Sequence, residues 1–190
     1  EVAALYEAYR EGRESPLAEL EIQYADYAMW QREWLRGEVL DRQLAYWREQ
    51  LSDVPFTLDL PTDFPRPPIQ SYRGSHLSFA LAPELTSRLK ELGRREGVTL
   101  FMLLAAAFQT LLSRYSRQSL FLLGANIANR PYGKVEPLIG FFVNNLVLKC
   151  DLQGGPRFRE LLRQVRDCCL GAYAHQDLPF ERLVEEMEPE

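Results

Sequence analysis

The sequence predicts a mixed α/β fold. Leu120 to Ile127 and Phe141 to Cys150 are continuous apolar runs of strand length, as expected for strands buried on both faces. Leu100 to Tyr115 has the length of a helix and is apolar almost all round, so we expect it to lie in the core. Strands interleaved with long helices favour a domain in which helices pack in layers against a sheet.

The pattern divides the chain into three regions. Residues 1–54 are helical, with a long helical stretch at 26–51 that Gly37 kinks or breaks. Its second half carries a helical stripe of apolar side chains: Leu40, Leu44, Trp47 and Leu51. Residues 55–72 contain five prolines, which exclude a helix or a central strand and predict an extended connector. Residues 73–190 hold the predicted strands and the remaining helices.

In the third region, local signals mark the bounds of several elements. Residues 73–81 alternate between apolar and polar side chains, which is the pattern of a half-buried strand. Pro83 suits the first turn of a helix, Gly97 can end that helix, and Thr99 suits the N-cap of the next one. After the second apolar run, residues 157–173 carry a helical stripe of apolar side chains: Phe158, Leu161, Val165, Cys168 and Ala172.

The composition excludes several classes of function. The formal net charge is −5 with acidic and basic residues interspersed, which argues against a nucleic-acid-binding face. No apolar run approaches the roughly 20 residues of a membrane-spanning helix. The chain starts at Glu1 without a signal peptide, and both ends have the character of cuts in a longer polypeptide. The three cysteines have no disulfide-framework or metal-ligand spacing and suit a reducing, cytoplasmic compartment.

Two adjacent amides interrupt the second apolar run. Asn144 and Asn145 are flanked by large apolar residues, and burying an amide without a partner costs about 1–3 kcal/mol. Because successive side chains of a strand point to opposite faces, one amide can bond within the fold while the other faces a channel. A satisfied core amide and an amide lining a substrate tunnel both fit the pattern. Gly140, just before the strand, allows close approach of the backbone.

Polar side chains at the ends of predicted elements are further candidates. Asn129 and Arg130 follow the first apolar run, where Arg130 either anchors a carboxylate or phosphate or is a simple surface charge. His175, Gln176 and Asp177 follow a long helix. No Ser or Cys nucleophile is nearby in the sequence, so a hydrogen-bonding cap is the simpler role for this imidazole, although catalytic groups also assemble from distant positions.

An aromatic-rich helix start completes the set of candidates. Tyr27, Trp30 and Trp34 are spaced as a packing stripe beside Tyr24, and Asp26 suits the N-cap. Such a stripe is typical of core packing, and the alternative is that it shapes an interface between two lobes. The sequence has no Gly-rich phosphate loop, Cys-x-x-Cys, His-Glu-x-x-His or Gly-x-Ser-x-Gly. The residues alone therefore indicate an α/β domain without a self-contained active site.

Three blocks stand out by their order and spacing. They are residues 24–30 (YADYAMW), 139–146 (IGFFVNNL) and 175–181 (HQDLPFE). These blocks resemble the later motifs of the condensation domains of nonribosomal peptide synthetases. Similar stretches between them extend the likeness over essentially the whole chain.

The resemblance implies a chloramphenicol-acetyltransferase-like fold of two lobes, present here as a fragment. Residues 1–54 would end the first lobe, 55–72 would connect the lobes, and 73–190 would form much of the second. In that family, donor and acceptor peptidyl carrier proteins bring thioester-linked substrates into a tunnel from opposite faces on their 4′-phosphopantetheine arms, and an amide bond forms. The resemblance implies no other cofactor and no metal; adjoining synthetase domains are further partners, while nucleic acid and membrane are not.

The family's His-His-x-x-x-Asp-Gly motif does not occur in this chain, which contains no adjacent histidines. The second histidine of that motif acts as general base or as positioning group for the amine. The resemblance therefore implies that these residues hold no catalytic group and are inactive alone. The residues expected to line the tunnel or the lobe interface are Tyr24, Asp26, Trp30, Asn129, Arg130, Gly140, Asn144, Asn145, His175, Gln176 and Asp177. The alternative is a non-catalytic docking module of the same fold that recruits a carrier protein or a tailoring enzyme.

Overall fold

The computed structural model describes residues 1–65, 67–69 and 71–187, and it combines helices with a small sheet. Arg66, Gln70 and residues 188–190, which belong to the predicted connector and C-terminal region, lie outside the described residues. The elements are α1 (Val2–Arg10), α2 (Tyr24–Trp34), α3 (Gly37–Leu51), α4 (Pro83–Glu96), α5 (Leu100–Ser116), β1 (Leu120–Ile127), a 3₁₀ turn (Gly133–Val135), β2 (Asn144–Asp151), α6 (Phe158–Ala174) and α7 (Phe180–Met187).

The sheet of the described residues is an antiparallel pair in which β1 and β2 lie side by side along their full lengths. Leu120 faces Asp151 at one end, and Ile127 faces Asn144 at the other. The side chains of one face, which include Phe121 and Ile127 on β1 and Asn144 and Leu146 on β2, point into the core, where Phe121 is fully buried. The prediction that β1 is buried on both faces is wrong, because Gly124 is exposed on the other face.

The second strand starts three residues later than the apolar run predicts. Phe141 and Val143 are 75% and 49% exposed, and the strand begins at Asn144. The register explains the difference. Residues 141–143 would have to pair with the chain beyond Ile127, but the chain turns away there, with Asn129 in the left-handed region at φ 49°.

The main core is built where α3, α5 and α6 meet β2. The predicted stripe on α3 is confirmed, since Leu44, Trp47 and Leu51 are all buried in this core. The stripe on α6 is partly confirmed, with two shifts: Phe158 is 41% exposed, and Cys169 rather than Cys168 is fully buried. The side chains that form this cluster also include Met102, Leu103, Ala106, Leu146, Leu148, Leu161, Leu162 and Val165.

Only one side of α5 lies in the core, contrary to the expectation that the whole helix is buried. Met102 and Ala106 are buried, and so is Gln109 at 1% exposure. The opposite side carries large apolar side chains that are between 42% and 50% exposed: Phe101, Leu104, Phe108 and Leu111. Because both sides are apolar in sequence, periodicity cannot separate the buried side from the exposed one.

The bounds of the helices follow the local signals. Pro83 starts α4, and Gly97 ends it in the left-handed conformation at φ 66°. The Thr99 hydroxyl accepts a hydrogen bond from the Met102 N–H at 3.2 Å, as expected for an N-cap. The predicted break near Gly37 is confirmed, since α2 ends at Trp34 and α3 begins at Gly37.

The predicted strand at residues 73–81 does not form in this structure. Leu77 and Phe79 are 90% and 85% exposed, and the segment has no regular secondary structure. A strand needs a neighbour for its backbone groups, and the two described strands pair with each other. The described residues of the preceding connector form no helix or strand. The Gln118 amide fixes part of it by donating to the Thr57 carbonyl and accepting from the Asp59 N–H.

Among the described residues, no single helix is long and apolar enough to cross a membrane. The helices α4 and α5 pass that test only when taken together, and they meet at a bend of 102°.

Candidate functional site

The first two sequence blocks are in direct contact. The Tyr24 hydroxyl at the start of α2 donates to the Phe141 carbonyl oxygen at 2.9 Å. The Tyr24 ring lies so close to Gly140 that a Cβ there would stand 2.7 Å from the ring Cγ. Gly140 is therefore required by the approach of a side chain, whereas the sequence suggested the approach of a backbone.

Phe142 is the centre of an aromatic cluster between these blocks. Its ring is edge-on to Tyr24 at 5.1 Å between centroids and lies 5.0 Å from Tyr27. The guanidinium carbon of Arg130 is 4.0 Å from the centroid of the Phe142 ring, which is a cation–π contact. Phe142 is 4% exposed, so this contact is shielded from water. Sequence reasoning missed the role of Phe142, because its neighbours along the chain are equally apolar.

Arg130 holds the loop that follows β1. Its guanidinium donates to the carbonyls of Val135, Glu136 and Leu138, with distances of 3.2 Å to Glu136 and 2.9 Å to Leu138. These bonds all come from Nη1, so Arg130 is more than a simple surface charge. Its neighbour Asn129 is 9% exposed, and the Asn129 Oδ1 has no hydrogen-bond partner among the described residues.

The Asn144 amide connects the second block with the third. Its Nδ2 donates to the carbonyls of Gln176 and Leu178, both at 2.9 Å. Its Oδ1 accepts from the N–H groups of Asn145 at 2.9 Å and Phe180 at 3.0 Å. Asn144 is 6% exposed, and these four bonds use its donor and acceptor capacity within the fold. Asn145 is half-buried, and its side chain makes no hydrogen bond within the described part of the chain.

His175 caps the C-terminal end of α6. Its Nδ1 lies 2.9 Å from the Gly171 carbonyl, which requires the hydrogen on Nδ1. The imidazole stacks on the Tyr46 ring at 3.9 Å, and the His175 backbone carbonyl accepts from Trp47 Nε1 at 3.1 Å. Gly171 is needed here as well, because a Cβ would stand 2.5 Å from the Tyr46 hydroxyl oxygen. A glycine inside a helix is the sequence signal that could have revealed this contact.

Asp177 is the partly buried carboxyl of the third block. Burial raises its pKa, and the nearby His175 opposes that rise. Burial is the main cause that raises the pKa values of Tyr27 and Tyr132, and the negative charge of Asp177 raises them further. The Asp177 carboxyl therefore lies close enough to Tyr27 and Tyr132 to affect their ionisation.

Asp26 and Trp30 border a cavity of about 670 Å³ between α2 and the loop at residues 131–135. Asp26 is the third residue of α2 and not its N-cap, contrary to the prediction. It still caps the helix, because its Oδ2 accepts from the Gln23 N–H at 2.8 Å. Trp30 stacks on Trp34 at 5.3 Å and meets the edge of Tyr132 at 5.3 Å.

The structure thus brings the predicted residues into two adjoining groups. Tyr24, Gly140 and Arg130 surround Phe142, while Asn144 and the turn at 175–180 form the other group. Over the described ranges, no group of three or more His, Cys, Asp and Glu side chains could hold a metal ion.

Comparison with known proteins identifies the family. The Condensation domain family matches residues 1–190. The chain belongs to this family. One of the linear gramicidin synthase proteins of Brevibacillus parabrevis is 55% identical over 190 residues, which is all of this chain and 4% of that protein. Chondramide synthase from Chondromyces crocatus is 48% identical over 190 residues and 5% of its length.

Solved structures place this condensation-domain chain in a larger fold. The X-domain from teicoplanin biosynthesis is similar with a TM-score of 0.89 and 31% identity, covering 97% of this chain and 42% of that one. The first condensation domain of the CDA synthetase has a TM-score of 0.73 at 22% identity, so this similarity shows a common fold and nothing more. The described elements are therefore part of the chloramphenicol-acetyltransferase-like fold, and the chain spans less than half of these solved chains.

Replacing Asn144 in the parent condensation domain is expected to reduce stability strongly. Asn144→Leu leaves two carbonyls and two N–H groups without their partner, and we expect the free energy of unfolding to fall by about 2–4 kcal/mol. Asn145→Leu is the matched control and should cost less than about 1 kcal/mol, since its side chain makes no such bonds. Chemical denaturation of both variants measures the difference. Equal, small losses would show that the Asn144 bonds contribute little.

Gly140→Ala is expected to displace the Tyr24 ring and to cost about 1–3 kcal/mol of unfolding free energy, because the added methyl overlaps the ring. Gly133→Ala is the control, since nothing lies within 4 Å of its Cβ position. In a Tyr24→Ala background the Gly140→Ala substitution should become nearly neutral. Thermal and denaturant unfolding of the four variants test this coupling, and additive losses would contradict it.

Proposed function

We propose that this chain is part of a condensation domain that forms an amide bond between substrates held as thioesters on carrier proteins. Membership in the Condensation domain family supports this proposal, and so do relatives that are named as synthases, one of them as a probable non-canonical nonribosomal peptide synthetase. The donor and acceptor carrier proteins would present their substrates on 4′-phosphopantetheine arms. Adjoining synthetase domains would be the other partners of the parent polypeptide.

The proposed reaction is an acyl transfer from sulfur to nitrogen. The amine of the acceptor attacks the carbonyl carbon of the donor thioester, a C–N bond forms, and the C–S bond breaks. The proton lost by the amine ends on the departing thiol. The base or positioning group would come from a His-His-x-x-x-Asp-Gly motif outside these residues, since the chain has no adjacent histidines.

In this proposal the described residues shape the wall of the reaction site. The observation that carries it is that residues 141–144, which lead into β2, are hydrogen-bonded to two distant parts of the chain. Tyr24 fixes the Phe141 carbonyl from α2, and Asn144 fixes the turn at 176–180. A wall assembled from three distant parts of the chain can hold two substrate arms in a fixed relation, which is how positioning lowers a bimolecular barrier.

The test uses the intact parent domain with both loaded carrier proteins, and mass spectrometry detects the condensed thioester. We expect product from the parent. Tyr24→Phe removes the hydroxyl that holds Phe141 and should lower kcat about tenfold, because small misplacements of a reacting group are costly. Tyr9→Phe, at a side chain 63% exposed on α1, is the control and should retain the parent rate. A folded parent that yields no condensed thioester would overturn the proposal.

The second candidate function is a non-catalytic module that recruits a carrier protein or a tailoring enzyme. A specific observation favours it: the X-domain from teicoplanin biosynthesis, solved in complex with OxyB, matches this chain with a TM-score of 0.90. The two candidates differ in the parent domain. A recruiting module would bind its partner in a sedimentation or calorimetric assay without forming product, and its upstream sequence would lack an intact pair of motif histidines.

A further inference from the structure

Arginine side chains from three parts of the chain line one cavity, which lies where α2, α3 and α7 meet. The cavity has a volume of about 390 Å³. Arg32 comes from the last turn of α2, Arg36 from the junction between α2 and α3, and Arg182 from α7. Three guanidinium groups, which carry positive charge at any physiological pH, therefore share one small space.

The charges of these arginines are unequally compensated. Arg182 donates from Nη1 to Glu185 at 3.2 Å, and its Nη2 lies 2.9 Å from Glu186, so carboxylates of its own helix neutralise it. None of the ion pairs among the described residues includes Arg32 or Arg36. Two guanidinium groups at this cavity therefore lack a counter-charge within the described part of the chain.

The start of α3 adds to the positive field at the cavity. The N-cap residue of α3 is Arg36, whose side chain makes no capping hydrogen bond. The first N–H groups of a helix have no partner within the helix, and the helix dipole favours an anion there. Nothing lies within 4 Å of the Cβ position of Gly37, so this helix end is accessible. Glu38 in the first turn opposes the field, but its side chain is exposed and does not line the cavity.

We propose that this cavity binds a dianionic phosphate group, either inorganic phosphate or the phosphate of a small monoester. Such a group carries about two negative charges near neutral pH, which matches the two uncompensated guanidinium groups. A planar guanidinium binds phosphate oxygens with two parallel hydrogen bonds. The rest of the lining includes the apolar side chains of Leu35, Leu40 and Pro179, which strengthen the attraction because they lower the local dielectric constant.

A phosphate in this cavity would connect two elements of the candidate site. The first residue of α7, Phe180, is hydrogen-bonded to Asn144, and α2 begins at Tyr24, which is hydrogen-bonded to Phe141. A bound anion shared by α7 and by the junction of α2 and α3 would oppose their separation. A ligand that binds only the folded state stabilises it, so phosphate should raise the Tm of the parent domain.

Titration calorimetry of the intact parent domain at constant ionic strength tests the class of ligand. The probes are inorganic phosphate, glycerol 3-phosphate as a monoester, and dimethyl phosphate, which carries a single negative charge. We expect both dianions to bind and dimethyl phosphate to bind at least about tenfold more weakly, since it offers fewer charged oxygens. Absence of binding by both dianions at millimolar concentration would overturn the proposal, and so would equal affinity for all three probes.

Variants of the parent domain test the location of the site. Arg32→Gln and Arg36→Gln should each weaken phosphate binding about tenfold, because each removes a charge-assisted hydrogen-bond donor. Arg36→Lys keeps the charge without the planar fork and should lose less affinity than Arg36→Gln.

Arg163→Gln is the matched control, because this exposed arginine of α6 lies outside the cavity, and it should keep the affinity of the parent. Circular dichroism checks that each variant is folded. Equal losses in the control and in the cavity variants would indicate unspecific attraction to surface charge and would overturn the proposal. None of these measurements requires amide-bond formation, so this proposal and the proposed function fail separately.

Discussion

The buried amide of Asn144 is the interaction on which the arrangement of the candidate site depends. It lies at the first residue of β2 and bonds to the turn between α6 and α7 through the carbonyls of Gln176 and Leu178 and the N–H of Phe180. The two carbonyls belong to a turn that has no strand or helix of its own to satisfy them, and the Phe180 N–H is one of the unpaired donors at the start of α7. Without the amide, the turn would have to find water or move away from the strand.

A second polar side chain of the site also satisfies several backbone carbonyls, and it is a charged guanidinium and not an amide. Arg130 satisfies the carbonyls of Val135, Glu136 and Leu138, and its guanidinium rests on Phe142. Each loop around the site is thus fixed by one polar side chain that reaches several backbone groups. Several bonds from one side chain restrict the movement of such loops, as the proposed positioning of two substrates would require.

The sequence predicts those features of the fold that depend on neighbouring residues. Pro83, Gly97 and Thr99 mark helix ends through their own conformation or side chain, and all three lie where the pattern places them. The register of β1 against β2 decides where the second strand starts, and no local pattern contains that register. The two sides of α5 are equally apolar, so only the packed structure shows that Phe101 and Phe108 face outward.

The sequence selects candidate residues for the site, but it does not predict the contacts between them. The family motifs select Tyr24, Gly140 and Asn144, which the structure brings close to one another. They do not reveal that Gly140 lies under the Tyr24 ring or that Phe142 joins the groups. These contacts join residues more than 100 positions apart in the chain, and their chemistry, a ring above a glycine and a hydroxyl on a distant carbonyl, leaves no periodic trace in the sequence.

Burial and hydrogen bonding restrict the cysteine thiols and the His175 imidazole of the described residues. Burial raises the pKa of the Cys169 thiol to about 11, and it raises the pKa values of Cys150 and Cys168 as well, so all three thiols stay protonated near neutral pH and are poor nucleophiles. The His175 Nδ1 is committed to the Gly171 carbonyl, and its ring is stacked on Tyr46. In the neutral ring this bond leaves Nε2 as the free nitrogen, and the stacking on Tyr46 together with the Nδ1 bond fixes the orientation of the imidazole. In the proposed reaction the described residues would contribute shape and order, and the reactive imidazole would come from the His-His-x-x-x-Asp-Gly motif outside these residues.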